Sequence, residues 1–452
     1  MTASLVRALF LCSVVLPNDP LGHGVAAGEQ PTNIVIVVAD DLGYGDLSCF
    51  GQSQFATPEL DRLAAEGARL TDFYSGATVC RPSRLSLWTG QHTGHTVISA
   101  NEAYTFQPED VLFPELLNAA GYSVGGIGKW AMGRPETSGR PTLNGFDFWM
   151  GFLDQGAAHN YYPEVLYRNG EPVRLEGNVL STAEGSRGRV AQKREVYAHD
   201  VMTDALFDYL DGLGSEPFLI HAHWTIPHAN NEGGRVTGNG MEIPDYGAFA
   251  DRDWPDTEKG FAAMVARLDR DIGRLRDTLL RRGLAENTLL LFTSDNGPHS
   301  EGGHTHEFFD SNGPLRGFKR DLYEGGIRVP TIAWWPGTIE SGSVIDEPYA
   351  FWDIFPTACE LAGVDVPAGL DGRSMVSALR GERSKEERPL YWRYRGQEAV
   401  RLGSWKAIRP SESAPWELYD LAADVGEEND VAGTFPDRLR ALQAHAAAAV
   451  RD

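Results

Sequence analysis

"TNIVIVVADD", residues 32–41, decides how the rest of the chain is read. From Ile34 to Ala39 every residue is apolar, most are β-branched, and the run ends on two aspartates. A strand with one wet face alternates apolar and polar residues. One that is apolar throughout is covered on both faces, as in a parallel sheet between helix layers. "TPELDRLAAEGA" (57–68) follows, with threonine at the cap position, proline in the first turn and Leu60, Leu63 and Ala64 at helical spacing. The alternation then repeats. "VLFPELLNAAGY" (111–122) reads as helix and "SVGGIGKW" (123–130) as strand, then "HDVMTDALFDYLDGL" (199–213) as helix and "PFLIHAHW" (217–224) as strand. A long helix over about 257–282 precedes the strand "TLLLFTSDNG" (288–297), and "RVPTIAWWPG" (328–337) is another strand. The pattern predicts an α/β fold, a large mostly parallel sheet sandwiched by helices.

After about residue 373 the texture changes. "PLYWRYR" (389–395), "EAVRLGSWKAIR" (398–409) and "WELYDL" (416–421) are short, aromatic-rich strands, and "PDRLRALQAHAAAAV" (436–450) is helical. They predict a smaller C-terminal antiparallel sheet plus helix, residues 374–452, packed on a catalytic domain of 28–373. Residues 155–195 and 229–256 are rich in Gly, Pro, Asn and charge and read as long surface loops.

The 452 residues carry 40 Lys and Arg against 63 Asp and Glu, a formal charge of −23. Such a surface excludes a nucleic-acid binder, which needs a basic face to neutralise phosphates. The start, "MTASLVRALFLCSVVLP" (1–17), places Arg7 before an apolar run, and small residues follow by residue 27. That is the shape of a signal peptide over 1–27, so the protein is expected to be exported, to a periplasm or the medium. No later segment reaches the length of a membrane span. Removing the signal leaves Cys49, Cys80 and Cys359, an odd set that is no disulfide framework.

Ligands of open α/β sheets gather at the carboxyl ends of the strands. Three apolar strands here end in polar clusters: Asp40-Asp41, His221 to His228, and Asp295-Asn296. The first and third offer hard oxygen ligands for Ca²⁺ or Mg²⁺, although each pair alone also suits an Asx turn. Cations recur in unusual settings: Lys129 in "GIGKWAMG" (126–133), Lys319 in "LRGFKRDLYEGGIRVP" (315–330), and Arg84 close to a cysteine in "SGATVCRPSRLSLWTG" (75–90). With a metal they would form a compact anion site. His228, just past a strand in "TIPHAN" (225–230), is a candidate general acid, or else a turn histidine bonded to backbone. His299, His304 and His306 in "PHSEGGHTHEFF" (298–309) are either candidate substrate-binding residues or ordinary loop residues.

Five blocks, in order, give a resemblance. "CRPSR" (80–84) resembles the Cys-x-Pro-x-Arg signature of the sulfatases, members of the alkaline phosphatase superfamily. "VVADDLGYGDLSCFG" (37–51), "GKW" (128–130), "SDNG" (294–297) and "LYEGGIRVP" (322–330) are similar to further sulfatase blocks. The resemblance implies an alkaline phosphatase-like fold and an arylsulfatase-type enzyme acting on a sulfated small molecule or oligosaccharide. It implies that a formylglycine-generating enzyme oxidises Cys80 to formylglycine, and that Ca²⁺ is held by Asp40, Asp41, Asp295, Asn296 and the modified Cys80. By the same resemblance Arg84 and Lys129 hold the modified residue, Lys129 and Lys319 bind sulfate oxygens, His228 protonates the leaving oxygen, and Asp295 is the candidate base.

One position departs. Many sulfatases carry histidine two residues after the lysine, where this chain has Ala131. His95, His221 and His223 are the candidates to replace it. The departure keeps open a non-catalytic protein that binds sulfated sugars. A phosphodiesterase or phosphonate monoester hydrolase of the same superfamily is the other alternative.

Overall fold

The computed structural model describes residues 31–384 and 386–450. The signal-like segment of residues 1–27 lies outside them. Asn33–Asp40 is a strand in which every residue is buried. Val35, Val37 and Ala39 enter one core, while Ile34, Ile36 and Val38 enter another. Successive side chains of a strand point to opposite faces, so an uninterrupted apolar run serves two cores at once. Each fully buried Val or Ile contributes about 1.5–3 kcal/mol by leaving water, which makes this strand hard to expose or slip.

The strand is central in a ten-stranded mixed sheet. It pairs in parallel with Phe218–Pro227 on one side and Thr288–Ser294 on the other. Beyond Phe218–Pro227, Ser123–Lys129 and then Phe148–Phe152 continue in parallel. Thr331–Trp334 runs antiparallel to Thr288–Ser294, and Ala68–Leu70 antiparallel to Thr331–Trp334. Pro58–Glu66, Ala198–Gly212 and Asp256–Arg281 cover one face, whereas Cys80–Thr89, Phe113–Ala119 and Ile354–Ala362 cover the other. The α/β sandwich expected from the alternation is what the chain forms.

Two local readings differ. Thr57 does not cap Pro58–Glu66; its hydroxyl accepts from the Ser48 N–H at 2.9 Å. The free N–H groups of Glu59 and Leu60 donate instead to the Asp269 carboxylate, at 3.0 and 2.8 Å. Nor are residues 155–195 only loop. Val165–Arg168 and Glu171–Arg174 form a hairpin that extends the large sheet. Its turn is Asn169-Gly170, with φ of 53° and 90°, the positive pair that a tight hairpin requires.

Leu390–Tyr394, Gln397–Leu402, Trp405–Arg409 and Glu417–Asp420 make a four-stranded antiparallel sheet, with the helix Pro436–Ala448 against it. This sheet and the loop that follows it hold both ends of the segment that carries Lys319. Arg316 donates to the Glu427 carbonyl at 2.7 Å, and the Leu322 N–H donates to Gln397 at 3.3 Å. Lys406, fully buried, is 2.9 Å from both Glu324 and Glu427. Among the described residues no helix is long and apolar enough to cross a membrane. Cys49, Cys80 and Cys359 are all unbridged.

Candidate active site

Four neighbouring central strands converge at their carboxyl ends: Thr288–Ser294 leads into Asp295, Asn33–Asp40 ends on Asp40, Ser123–Lys129 ends on Lys129, and the loop leaving Phe218–Pro227, which lies between the last two, adds His228. Lys129 ends Ser123–Lys129, where Gly128 precedes it at φ 96°; a Cβ on Gly128 would fall 1.8 Å from the His223 carbonyl. The backbone therefore passes close to its neighbour only because residue 128 lacks a side chain. Cys80 opens the helix Cys80–Thr89, and Arg84 follows one turn later on the same face.

Three cations meet three carboxylates here. Lys129 Nζ donates to Asp40 Oδ2 at 2.7 Å, and Lys319 Nζ to Asp41 Oδ2 at 2.7 Å. Arg84 donates from Nε and Nη2 to Asp295 Oδ2, at 3.0 and 2.8 Å. Asn296 Nδ2 donates to Asp41 Oδ1 at 2.6 Å, and the Asp41 N–H to Asp295 Oδ1 at 3.1 Å. The Cys80 thiol is 4.0 Å from Asp41 Oδ1. His228 Nε2 lies 3.5 Å from Asp41 Oδ2. Cys80 is 1% exposed, and Arg84, Lys129, Asp295 and Asn296 are sealed completely.

Burial alone would raise the carboxyls of Asp40 and Asp41. The adjacent cations outweigh it, Lys129 first for Asp40 and Lys319 first for Asp41, and hold both low. For Asp295, burial and then the Asp40 charge prevail and lift it to about 7. Burial, then Asp40, push the Cys80 thiol well above its ordinary range, so it is protonated and a poor nucleophile at neutral pH. Burial pulls His228 down to about 3 against the pull of Asp41, so its ring is neutral.

Two oxygens in this cluster, Asp40 Oδ1 and Asn296 Oδ1, are buried without a hydrogen-bond partner. Unsatisfied buried oxygens beside carboxylates suit a hard cation. Ligand atoms of Asp40, Asp41, Cys80 and His228 all lie within 4.8 Å of one another. The residues present thus fit a divalent metal.

The loop histidines fare differently. His299 is brought to the edge of the cluster: it is buried, its Nδ1 accepts from the Glu301 N–H at 3.1 Å, and ligand atoms of Asp41, His299 and Glu301 lie within 4.8 Å of one another. His304 is not brought to the cluster. Its Nδ1 is 2.6 Å from Glu258, and its ring stacks on Phe261 at 4.0 Å. His306 is likewise turned away, bonded to Ser300 at 2.7 Å and stacked on Phe318 at 4.3 Å. His223 Nδ1 contacts Arg84 Nη1 at 2.7 Å, His221 lies behind it at 3.2 Å, and His95 bonds Asp371 at 2.8 Å. None of these three bonds Cys80. Sequence reasoning missed Glu301, which accepts from Lys319 at 3.4 Å, and His159, whose ring stacks on His228 at 4.8 Å. Glu301 stands two residues from His299, a signal that could have found it.

A separate cavity of about 560 Å³ lies away from Cys80, lined in part by Asp72, Arg328, Glu347, Arg373, Arg388 and Arg401. Each of these arginines is already paired with an acid.

Known proteins share this arrangement of chain. The Sulfatase family model matches residues 32–364, and the model of the N-sulphoglucosamine sulphohydrolase C-terminal region matches residues 306–445. Human arylsulfatase A is 33% identical over 94% of this chain and 88% of its own length. Mouse N-acetylgalactosamine-6-sulfatase is 31% identical over 93% of this chain and 80% of its own. The structure of Ps i-CgsB in complex with k-i-k-neocarrahexaose superimposes with a TM-score of 0.78 at 27% identity, covering 92% of both chains. With that extent of match, the chain belongs to the sulfatase family of sulfuric ester hydrolases.

Proposed function

We propose that the protein hydrolyses a sulfate ester of a carbohydrate, using Ca²⁺ and a formylglycine made from Cys80 by a formylglycine-generating enzyme. The observation that carries this reading is the Cys80 thiol, protonated and sealed among three carboxylates, three cations and two unpartnered oxygens. A thiol in that place is a precursor better than a nucleophile. Asp40, Asp41, Asp295, Asn296 and the modified Cys80 would hold the metal. When present, the metal and the hydrated aldehyde would supply positive charge against a sulfate oxygen, one hydroxyl to attack sulfur and a second to release sulfate.

The chain's own residues do the rest. Arg84 and Lys129 hold position 80, Arg84 being fixed by Asp295 and by the Lys129 carbonyl at 3.1 Å. Lys129 and Lys319, both buried, bind the sulfate oxygens; burial makes each charge worth more than it is in water. His228 sets a ring N–H against the leaving oxygen as a hydrogen-bond donor and hands over a proton only from its cationic form, which the negative charge of the bound ester favours. Asp295, held near neutral protonation, takes the proton of the attacking hydroxyl. Export goes with this reading, supported by the apolar start of the chain. Residues 374–452 act as a subdomain that seats Lys319 within the catalytic part, 28–373.

Ala131 is the observation that would favour a protein that only binds sulfated sugars. Intact-peptide mass spectrometry across Cys80, on protein from its own host, is the direct test. It is run beside turnover of 4-nitrophenyl sulfate and of an aryl phosphate diester. An unmodified thiol in protein that still turns over the sulfate would sink the formylglycine route; faster turnover of the diester would sink the sulfatase route.

A further inference from the structure

Arg81 directly follows Cys80, and its side chain is half-buried. Its Nε donates to the Ala131 carbonyl at 3.2 Å and its Nη1 to the Glu102 carbonyl at 2.5 Å. It forms no ion pair among the described residues, and its Nη2 has no partner there. Among carboxylates, Asp154 acts on it most strongly and Glu102 less so. Asp154 is already shared, by Arg134 at 4.0 Å and Arg189 at 3.9 Å, and its Oδ1 accepts from the Gly156 and Ala157 N–H groups. Arg189 also donates to Glu232 at 3.2 Å, and Glu232 is 3.0 Å from His159 Nδ1. The His159 ring stacks on His228.

These contacts form one wall, running from the neighbour of the reactive cysteine to the proton donor. On the sulfate-ester reading, an alcohol leaving sulfur toward His228 would pass along it. Asp154 and Glu232 pair with Arg134 and Arg189 on this wall, and the Glu102 carboxylate also acts on Arg81, so what the wall offers a ligand is the free Nη2 edge of Arg81 and not a net positive charge. We infer that the wall is the subsite for the alcohol half of the substrate, and that it selects an alcohol bearing a second negative group, a carboxylate or another sulfate. The inference rests on the sulfate-ester reading above. A guanidinium with a free edge offers paired N–H donors in the geometry that a carboxylate or sulfate accepts, which an ammonium does not.

The test uses matched pairs that differ only in the second charge: a monosulfated uronate disaccharide against its methyl ester, and a disulfated against a monosulfated glucosamine. Rates are normalised to the formylglycine content of each preparation, because Arg81 lies in the stretch read during maturation. The wild-type enzyme is expected to prefer the charged member of at least one pair by about 10-fold or more in kcat/KM. In Arg81→Met that preference should collapse, and Arg134→Met, altering an exposed side chain, should lower it partway. Equal rates within both pairs for the wild type would overturn the inference, as would a preference that Arg81→Met leaves intact. Calorimetry of the desulfated uronate disaccharide and its methyl ester on Cys80→Ala protein asks the same question without turnover. Tighter binding of the free acid, lost in Arg81→Met, supports the subsite even if no sulfate ester is hydrolysed, and that failure would then fall on the hydrolysis reading alone.

Discussion

Arg84 meets Asp295 through two N–H groups that share one oxygen, Oδ2, at 3.0 and 2.8 Å, with both side chains closed to solvent. Removing one partner strands the other charge in the interior. Arg84→Met is therefore expected to cost about 3–5 kcal/mol, measured by denaturant unfolding. The double variant Arg84→Met/Asp295→Asn should recover most of that loss, since it removes both charges. A double variant as unstable as the sum of the singles would show that the pair is not the source.

Calcium should stabilise the fold. A ligand at 100 times its Kd contributes about 2.7 kcal/mol by mass action, so Tm should rise on adding Ca²⁺ and fall with a chelator. Asn296→Ala removes one of the two unpartnered oxygens and should weaken the shift. If Tm ignores Ca²⁺ altogether, the cluster is not a metal site.

Ala131 sits at φ 70°, a left-handed conformation that disfavours side chains, and it is 3% exposed. Glycine there relieves the Cβ clash but adds freedom to the unfolded chain, so Ala131→Gly should stabilise by about 0.5 kcal/mol net. Urea unfolding that shows a loss instead would mean the methyl group packs more tightly than its backbone is strained.

Asp271 gives a pH dependence remote from the catalytic cluster. Burial would raise its carboxyl, but the hydrogen bond with His199 at 2.9 Å and the bond from Arg270 lower it to about 2. A depressed folded value contributes stability at pH above the unfolded value. That contribution fades as pH falls from about 4 toward 2, and amounts to about 2 kcal/mol. Asp271→Asn should thus be less stable than wild type at pH 6, with the gap narrowing steadily below pH 4. A gap of constant size would assign the loss to packing.

Where both faces of an element are buried, pattern alone was enough to find it. Ile34 to Ala39 had no polar residue to obscure the strand, and the carboxylates at its end were found by position. His159 and Glu232 lay in stretches with no period of either kind, so nothing tied them to His228. His304 and His306 misled for the same reason: a histidine-rich loop does not reveal whether its rings face a pocket or stack on Phe261 and Phe318. The hairpin at Asn169-Gly170 was legible from its turn residues, but the charged flanks hid it among the loops.

The grip of the C-terminal sheet on both sides of Lys319 sets an order of events during synthesis. The strand bearing Asp40 and the helix bearing Cys80 emerge from the ribosome early, yet Lys406 and Glu427, which pin Glu324, are made near the end of the chain. A nascent polypeptide can assemble most of the centre and still lack a seated Lys319. Premature stop codons anywhere in the last sheet should therefore yield proteins silenced at a lysine that they still encode.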